Sequence, residues 1–161
     1  VGGYPREGNL LDGKDVKPLP WVGCDSPRLR EATANYYNCM SRLDSLVGDL
    51  LEALKKSGKA ENTLILYIGD HGAQFSRGKT SVHDAGLRIP LVVHWPKKVR
   101  PAVRSEMVSV TDLLPTMLEV AGVAQPGRMS GRSLWPLLNG KKVQWRKEFG
   151  AVTTGAAPAL G

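Results

Sequence analysis

The chain has 161 residues, with 22 Lys and Arg against 15 Asp and Glu and a formal charge of +7, and a single domain is the expectation for that length. Two cysteines, Cys24 and Cys39, make neither a disulfide framework nor a zinc pattern, and no apolar run approaches the roughly 20 residues that span a bilayer. The basic residues are scattered, with short clusters at Lys97-Lys98-Val99-Arg100 and Lys141-Lys142; lacking interleaved aromatics, they predict a solvated basic surface and not a nucleic-acid partner.

The first residue is Val and both ends read as loop, so the sequence is expected to be an internal piece of a longer chain. No signal-peptide pattern is present, which for such a piece leaves export open. Residues 1–24 form a loop-rich lead-in, carrying Gly2, Gly3, Pro5, Gly8, Gly13, Pro18 and Pro20, with Trp21 expected to anchor it. Asp25-Ser26-Pro27 is a helix start, a capping residue followed by Pro at the first helical position. Leu29, Ala32, Tyr36, Met40, Leu43, Val47, Leu50 and Leu54 then recur every three or four residues and predict one apolar face. Cys39 falls inside this helix and is expected as a free thiol. Lys55 and Lys56 suit the helix carboxyl end, and Gly58 stops it.

Thr63 to Ile68 is a β-branched and aromatic run without alternation, which predicts a strand of a parallel sheet covered on both faces. Gly69 ends the run, placing Asp70 and His71 beyond the carboxyl end of a strand, where open α/β sheets hold their ligands. A connection of about 20 residues follows, a length that is usually functional or disordered. Leu91 to Trp95 is a second short strand. Thr111 or Asp112 opens another helix, with Pro115 tolerated in the first turn and Gly122 at the end. Ser133 to Leu138 is a short helical segment, and Val143 to Val152 is expected as a last strand. The alternation of strands and helices is α/β organisation.

Asp70 and His71 offer a carboxylate oxygen and an imidazole nitrogen to one divalent ion. Taken alone, the pair is equally a turn in which Asp70 bonds its own backbone and His71 packs nearby. The residues that follow favour the metal: Arg77, Lys79 and Thr80 lie on a Gly-containing loop leaving the same strand end, where cations would face a tetrahedral oxyanion such as sulfate or phosphate.

Gly69-Asp70-His71-Gly72, then Gly78-Lys79-Thr80, then Asp84 through Pro96 (Asp-Ala-Gly-Leu-Arg-Ile-Pro-Leu-Val-Val-His-Trp-Pro) resemble the central to C-terminal part of a type I sulfatase. Upstream, Ala34-Asn35-Tyr36-Tyr37 and Arg42-Leu43-Asp44 resemble the helix preceding that family's metal strand. Downstream, Val110 through Thr116 and Gly131 through Leu138 resemble its next two landmarks, so that roughly residues 28–150 are covered. The resemblance implies part of an alkaline-phosphatase-like α/β/α sandwich with a mostly parallel sheet, formed by residues 25–152 and followed by an irregular tail at 153–161. It implies a Ca2+ ion held by four side chains, of which Asp70 and His71 would be two. Lys79 would contact the substrate sulfate, with Arg77 beside it. His83 stands where the family commonly has Tyr and is a pocket candidate, while Arg88 would brace the loop. Gln74 through Lys79 looks closest to the heparan N-sulfatase-like branch, implying a sulfated sugar substrate and a periplasmic, extracellular or lysosomal setting.

The family's nucleophile is a formylglycine made from Cys in Cys-x-Pro-Ser-Arg. That motif is expected in sequence preceding this chain. Cys24-Asp25-Ser26-Pro27-Arg28 exchanges the Pro and Ser, and Ser26-Pro27 already has the simpler work of starting a helix. Three functions follow: the metal-and-sulfate portion of a sulfatase acting on sulfate esters or sulfamates, a non-catalytic sulfatase-like fragment, and a phosphodiesterase or phosphonate hydrolase of the same superfamily.

Overall fold

The computed structural model describes residues 10–151. In chain order it has α1 (Pro27–Lys56), a 3-10 turn at Ala60–Asn62, β1 (Ile65–Ile68), α2 (Asp84–Leu87), β2 (Leu91–His94), a 3-10 turn at Val110–Asp112, α3 (Leu113–Ala121) and α4 (Trp135–Leu138). Two compact units divide between Val92 and Val93. Residues 1–9 of the expected lead-in and the tail at 153–161 lie outside the described residues.

In the first unit, α1 starts as its sequence dictates. The Ser26 side chain accepts the Leu29 N–H at 3.2 Å, and Pro27 occupies the first turn, where its missing N–H costs no hydrogen bond. At the other end Lys55 and Lys56 fill the last turn, and Gly58 takes a left-handed φ of 73°. The expected apolar face is largely unburied. Thr33 and Ala34 are the buried residues of α1, whereas Met40, Leu43 and Leu50 are 40%, 37% and 70% exposed. The described part of the lead-in packs along the first turns of the helix. Asn38 bonds both the N–H and the carbonyl of Leu11, each at 2.9 Å, and a Cβ on Gly13 would lie 3.1 Å from the Glu31 nitrogen. Val16 and Leu19 anchor this segment as buried side chains; Trp21, expected in that role, is exposed.

β1 opens two residues later than expected because the preceding turn claims Thr63. Its N–H donates to Ala60 and its hydroxyl to Lys59. β1 and β2 form a two-stranded sheet. The Gly69 N–H donates to the Pro90 carbonyl at 3.1 Å, so the end of β1 meets the start of β2 and the pair is antiparallel where parallel pairing was expected. Tyr67 on β1 and Val92 on β2 are exposed, so neither strand is covered on both faces. The long connection between them carries α2, a single turn that the sequence pattern did not announce.

In the second unit, Ser109 and Asp112 make a reciprocal cap. The Ser109 hydroxyl accepts the Thr111 N–H, and the Asp112 carboxylate accepts the Ser109 N–H at 2.8 Å. Pro115 sits buried in the first turn of α3, and Gly122 closes it with φ 68°, both as expected. Asp112 is fully buried and its other oxygen accepts the Arg132 N–H at 2.8 Å and Arg146 Nη2 at 2.6 Å. The Thr116 hydroxyl donates to the Asp112 carbonyl and accepts the Leu134 N–H, which ties α3 to the start of α4. The strand expected over Val143 to Val152 is absent from 143–151. Side chains hold this segment in place of a ladder. Trp145 Nε1 donates to the Met107 carbonyl at 2.8 Å, and the Arg132 and Arg146 guanidiniums each lie 5.3 Å from the Trp145 ring centre.

Candidate metal and anion site

The candidate site lies in the first unit, on the connection that leaves β1. β1 ends at Ile68, and after Gly69 the chain presents Asp70 and His71, both exposed. The two side chains are neighbours: His71 Nε2 is 3.3 Å from Asp70 Oδ2. His71 Nδ1 lies 2.8 Å from the Gly72 carbonyl. A carbonyl only accepts, so the tautomer with its hydrogen on Nδ1 suits this contact and would leave Nε2, on the carboxylate side, to face a cation. Metal-bound histidines are oriented in this way by a backbone carbonyl. The separation suits a shared ion as well. Ligands about 2.4 Å from Ca2+ and at right angles around it lie roughly 3.4 Å apart. Asp70 also accepts the His71 N–H through its other oxygen at 2.9 Å, so the turn weighed from sequence forms while Oδ2 faces the His71 ring. Two donors do not complete a calcium shell, and among the described residues no group of three or more His, Cys, Asp or Glu side chains is placed to hold an ion.

Beyond His71 the chain winds into a knot whose centre is the Ala73 carbonyl. It accepts the Phe75 N–H at 2.8 Å and the Lys79 N–H at 2.9 Å, while the Phe75 carbonyl accepts the Gly78 N–H at 2.9 Å. Gly78 is buried, and a Cβ there would collide with the Ala73 oxygen. Only glycine fits that approach. The result returns Lys79 to Ala73, two residues past His71. Lys79 and Arg77 are exposed, and neither side chain has an acceptor among the described residues. On either side of Gly78-Lys79, Arg77 and Thr80 hold left-handed φ values of 61° and 66°, which for a β-branched residue like Thr80 is strained.

His83 lies elsewhere on the same connection. It precedes α2, and its backbone carbonyl accepts the Gly86 and Leu87 N–H groups. Among the described residues its ring makes no hydrogen bond, and no hydrogen bond or ion pair joins it to Asp70, His71 or Lys79. The Arg88 side chain makes no hydrogen bond or ion pair among the described residues. Its N–H closes α2 onto Asp84 at 2.8 Å, and the guanidinium is exposed. Sequence reasoning missed Phe75 and Tyr36, whose rings meet edge to face at 5.6 Å between centres. An aromatic residue on an otherwise polar loop was the available signal.

Cys24 occupies a helix entry. Ser26 caps α1, and Arg30 grips Asp25 through two hydrogen bonds of 2.7 and 2.5 Å. The hydrogen bond from Arg30 holds the Asp25 carboxyl below its ordinary value. Cys24 and Cys39 are both exposed free thiols.

The Sulfatase family model matches residues 5–123. An ulvan-active sulfatase of Formosa agariphila is 38% identical over 112 residues, covering 69% of this chain and 22% of its own length. Arylsulfatase K of Xenopus laevis is 36% identical over 126 residues, covering 72% of this chain and 23% of its own. The chain therefore spans under a quarter of either relative. Among solved structures, the phosphonate monoester hydrolase SpPMH from Silicibacter pomeroyi superposes with a TM-score of 0.69 at 29% identity, over 80% of this chain and 27% of its own. BT4656 in complex with its substrate D-glucosamine-2-N,6-O-disulfate gives 0.57 at 27% identity, over 74% and 25%. A family match running from the lead-in through the end of α3, across the strand end that carries Asp70, His71 and Lys79, settles the kinship: the chain belongs to the sulfatase family.

Proposed function

We propose that this chain is the metal- and sulfate-facing portion of a sulfatase that hydrolyses sulfate esters or sulfamates of a sugar. The observation that carries this is the pair of donors at the end of β1, Asp70 Oδ2 and His71 Nε2, 3.3 Å apart with the ring fixed by the Gly72 carbonyl. In the complete protein Asp70 and His71 would be two ligands of a Ca2+ ion. Bound there, the ion would supply Lewis-acid polarisation of a sulfate oxygen. Lys79 would hold a second oxygen through its ammonium, a compact charge suited to a single oxyanion contact, with Arg77 reaching the substrate from the same turn. A formylglycine nucleophile, further metal ligands and the rest of a mostly parallel α/β/α sandwich belong, on this proposal, to sequence outside the chain. The ulvan-active relative and the glucosamine disulfate bound by BT4656 support a sulfated sugar as the substrate class.

A phosphonate monoester as substrate is the second possibility, favoured by the likeness to SpPMH. Parallel assays of an aryl sulfate and an aryl phosphonate on the complete protein decide between them. The test of the site itself is Lys79→Ala. Loss of a donor aimed at developing charge costs about 3 kcal/mol, roughly a hundredfold in kcat, whereas truncating a solvated lysine costs about 0.5 kcal/mol of stability or less. Lys79→Arg keeps the charge on a planar fork and should restore activity only in part. Unchanged kcat/KM and melting temperature in Lys79→Ala would remove the sulfate contact from this loop.

A further inference from the structure

Lys79 sits on a loop, and a loop alone places an ammonium poorly. The knot from Gly72 to Gly86 is closed on itself: the Gly72 N–H donates to the Gly86 carbonyl at 3.2 Å, Gly78 to Phe75 at 2.9 Å, Lys79 to Ala73 at 2.9 Å and Ser81 to Gly78 at 3.1 Å. The Ser81 hydroxyl adds a bond to the Arg77 carbonyl at 2.8 Å. These bonds make the knot stiff internally. They do not fix its orientation against the scaffold. The strand ends hold it where it begins and finishes, at Gly69 and Pro90, but Lys79 lies near the middle of the excursion.

The contact that reaches the middle is aromatic. Phe75 leaves the turn whose hydrogen bonds define the position of Lys79, and its ring meets Tyr36 of α1 edge to face, with ring centres 5.6 Å apart and planes at 90°. Tyr36 is in turn supported by Tyr37, 5.8 Å away. Both Phe75 and Tyr36 are half-buried. Since the Phe75 carbonyl accepts the Gly78 N–H, any swing of the Phe75 backbone pulls Gly78 and Lys79 with it. α1 is a helix of 30 residues, long enough to serve as a rigid post.

We infer that Tyr36 is a positioning residue: through the edge-to-face contact with Phe75 it tethers the Lys79 loop to α1 and sets where the Lys79 ammonium stands relative to a bound sulfate. The sulfate half of this rests on the proposed role of Lys79; the tether half does not.

Two measurements separate them. Amide hydrogen exchange on the complete sulfatase compares Tyr36→Ala and Tyr36→Phe with the parent, with the β1 amides as internal reference. Losing an edge-to-face pair should speed exchange at Gly78 and Lys79 by about three- to tenfold, with β1 unchanged, and Tyr36→Phe, which keeps the ring, should match the parent. Unchanged exchange in Tyr36→Ala overturns the tether. If Tyr36→Ala also loosens β1, Phe75→Leu takes its place under the same criteria. The second measurement is turnover of a sulfated sugar by the complete sulfatase, where Tyr36→Ala should lower kcat by about tenfold with KM within about twofold, and Tyr36→Phe should restore it. Normal turnover in Tyr36→Ala beside impaired turnover in Lys79→Ala overturns the positioning role. Normal turnover in both removes the sulfate contact instead, leaving the tether to stand or fall by exchange alone.

Discussion

Replacing Asp112 by alanine removes one carboxylate from three donors at once. Asp112 is fully buried and accepts the Ser109 N–H, the Arg132 N–H and Arg146 Nη2, whose side chain is only 16% exposed. Alanine would leave two backbone N–H groups without their acceptor, each costing about 1–3 kcal/mol if water cannot reach it, and a guanidinium without its counter-charge. Breaking a buried pair by deleting one partner typically costs about 3–5 kcal/mol. The terms share one side chain and do not add, so a loss of about 4 kcal/mol is expected. For a chain of this size that is a fall in Tm of roughly 8–16 °C. Asp112→Asn keeps an oxygen for one of the two backbone donors, turns an NH2 toward the other and gives up the ion pair, so it should recover only part of the loss. The assay is urea unfolding followed by tryptophan fluorescence, which Trp95, Trp135 and Trp145 report from this unit. A loss below about 1 kcal/mol for Asp112→Ala would mean that water or rearrangement satisfies those donors, and that the hub is not what joins α3 to the segment after α4.

Calcium should bind this chain weakly, because Asp70 and His71 supply two ligands where the ion takes six to eight; micromolar affinity by calorimetry, lost in Asp70→Ala, would mean that the shell is completed within these residues. The chain by itself should not turn over an aryl sulfate in the presence of calcium, since catalysis by a set of groups collapses when one is missing. Turnover abolished by Cys24→Ala would instead make Cys24 the nucleophile.

Where the chain's own local chemistry decides the outcome, the sequence was readable. Ser26-Pro27 and Gly58 bound α1 as expected, Gly122 ends α3, and the break at Gly69 places Asp70 and His71 beyond the strand. What escaped depends on partners distant in sequence. The apolar stripe through Met40, Leu43 and Leu50 fits helical periodicity, yet periodicity says nothing of what covers it, and these side chains stay exposed. A β-rich run such as Thr63 to Ile68 does not encode whether its neighbour runs parallel or antiparallel. Val143 to Val152 had strand composition, but Trp145 and Arg146 found side-chain and carbonyl partners on Met107 and Asp112, and no ladder formed over 143–151. At the site, the residue types were legible and their support was not. The Tyr36 to Phe75 contact joins positions in a helix and a loop that no local pattern connects.

Antiparallel pairing gives the excursion between β1 and β2 a common doorway: it departs at Gly69 and returns at Pro90, and a single hydrogen bond of 3.1 Å spans the threshold. Length can therefore be added or removed inside without shifting the register of either strand. Doubling such a loop costs only about 0.6 kcal/mol of closure entropy. Pro90 has no N–H to offer, so the ladder cannot creep inward and consume the loop. A segment built in this way can change in length between its two ends while the strands that carry it stay as they are.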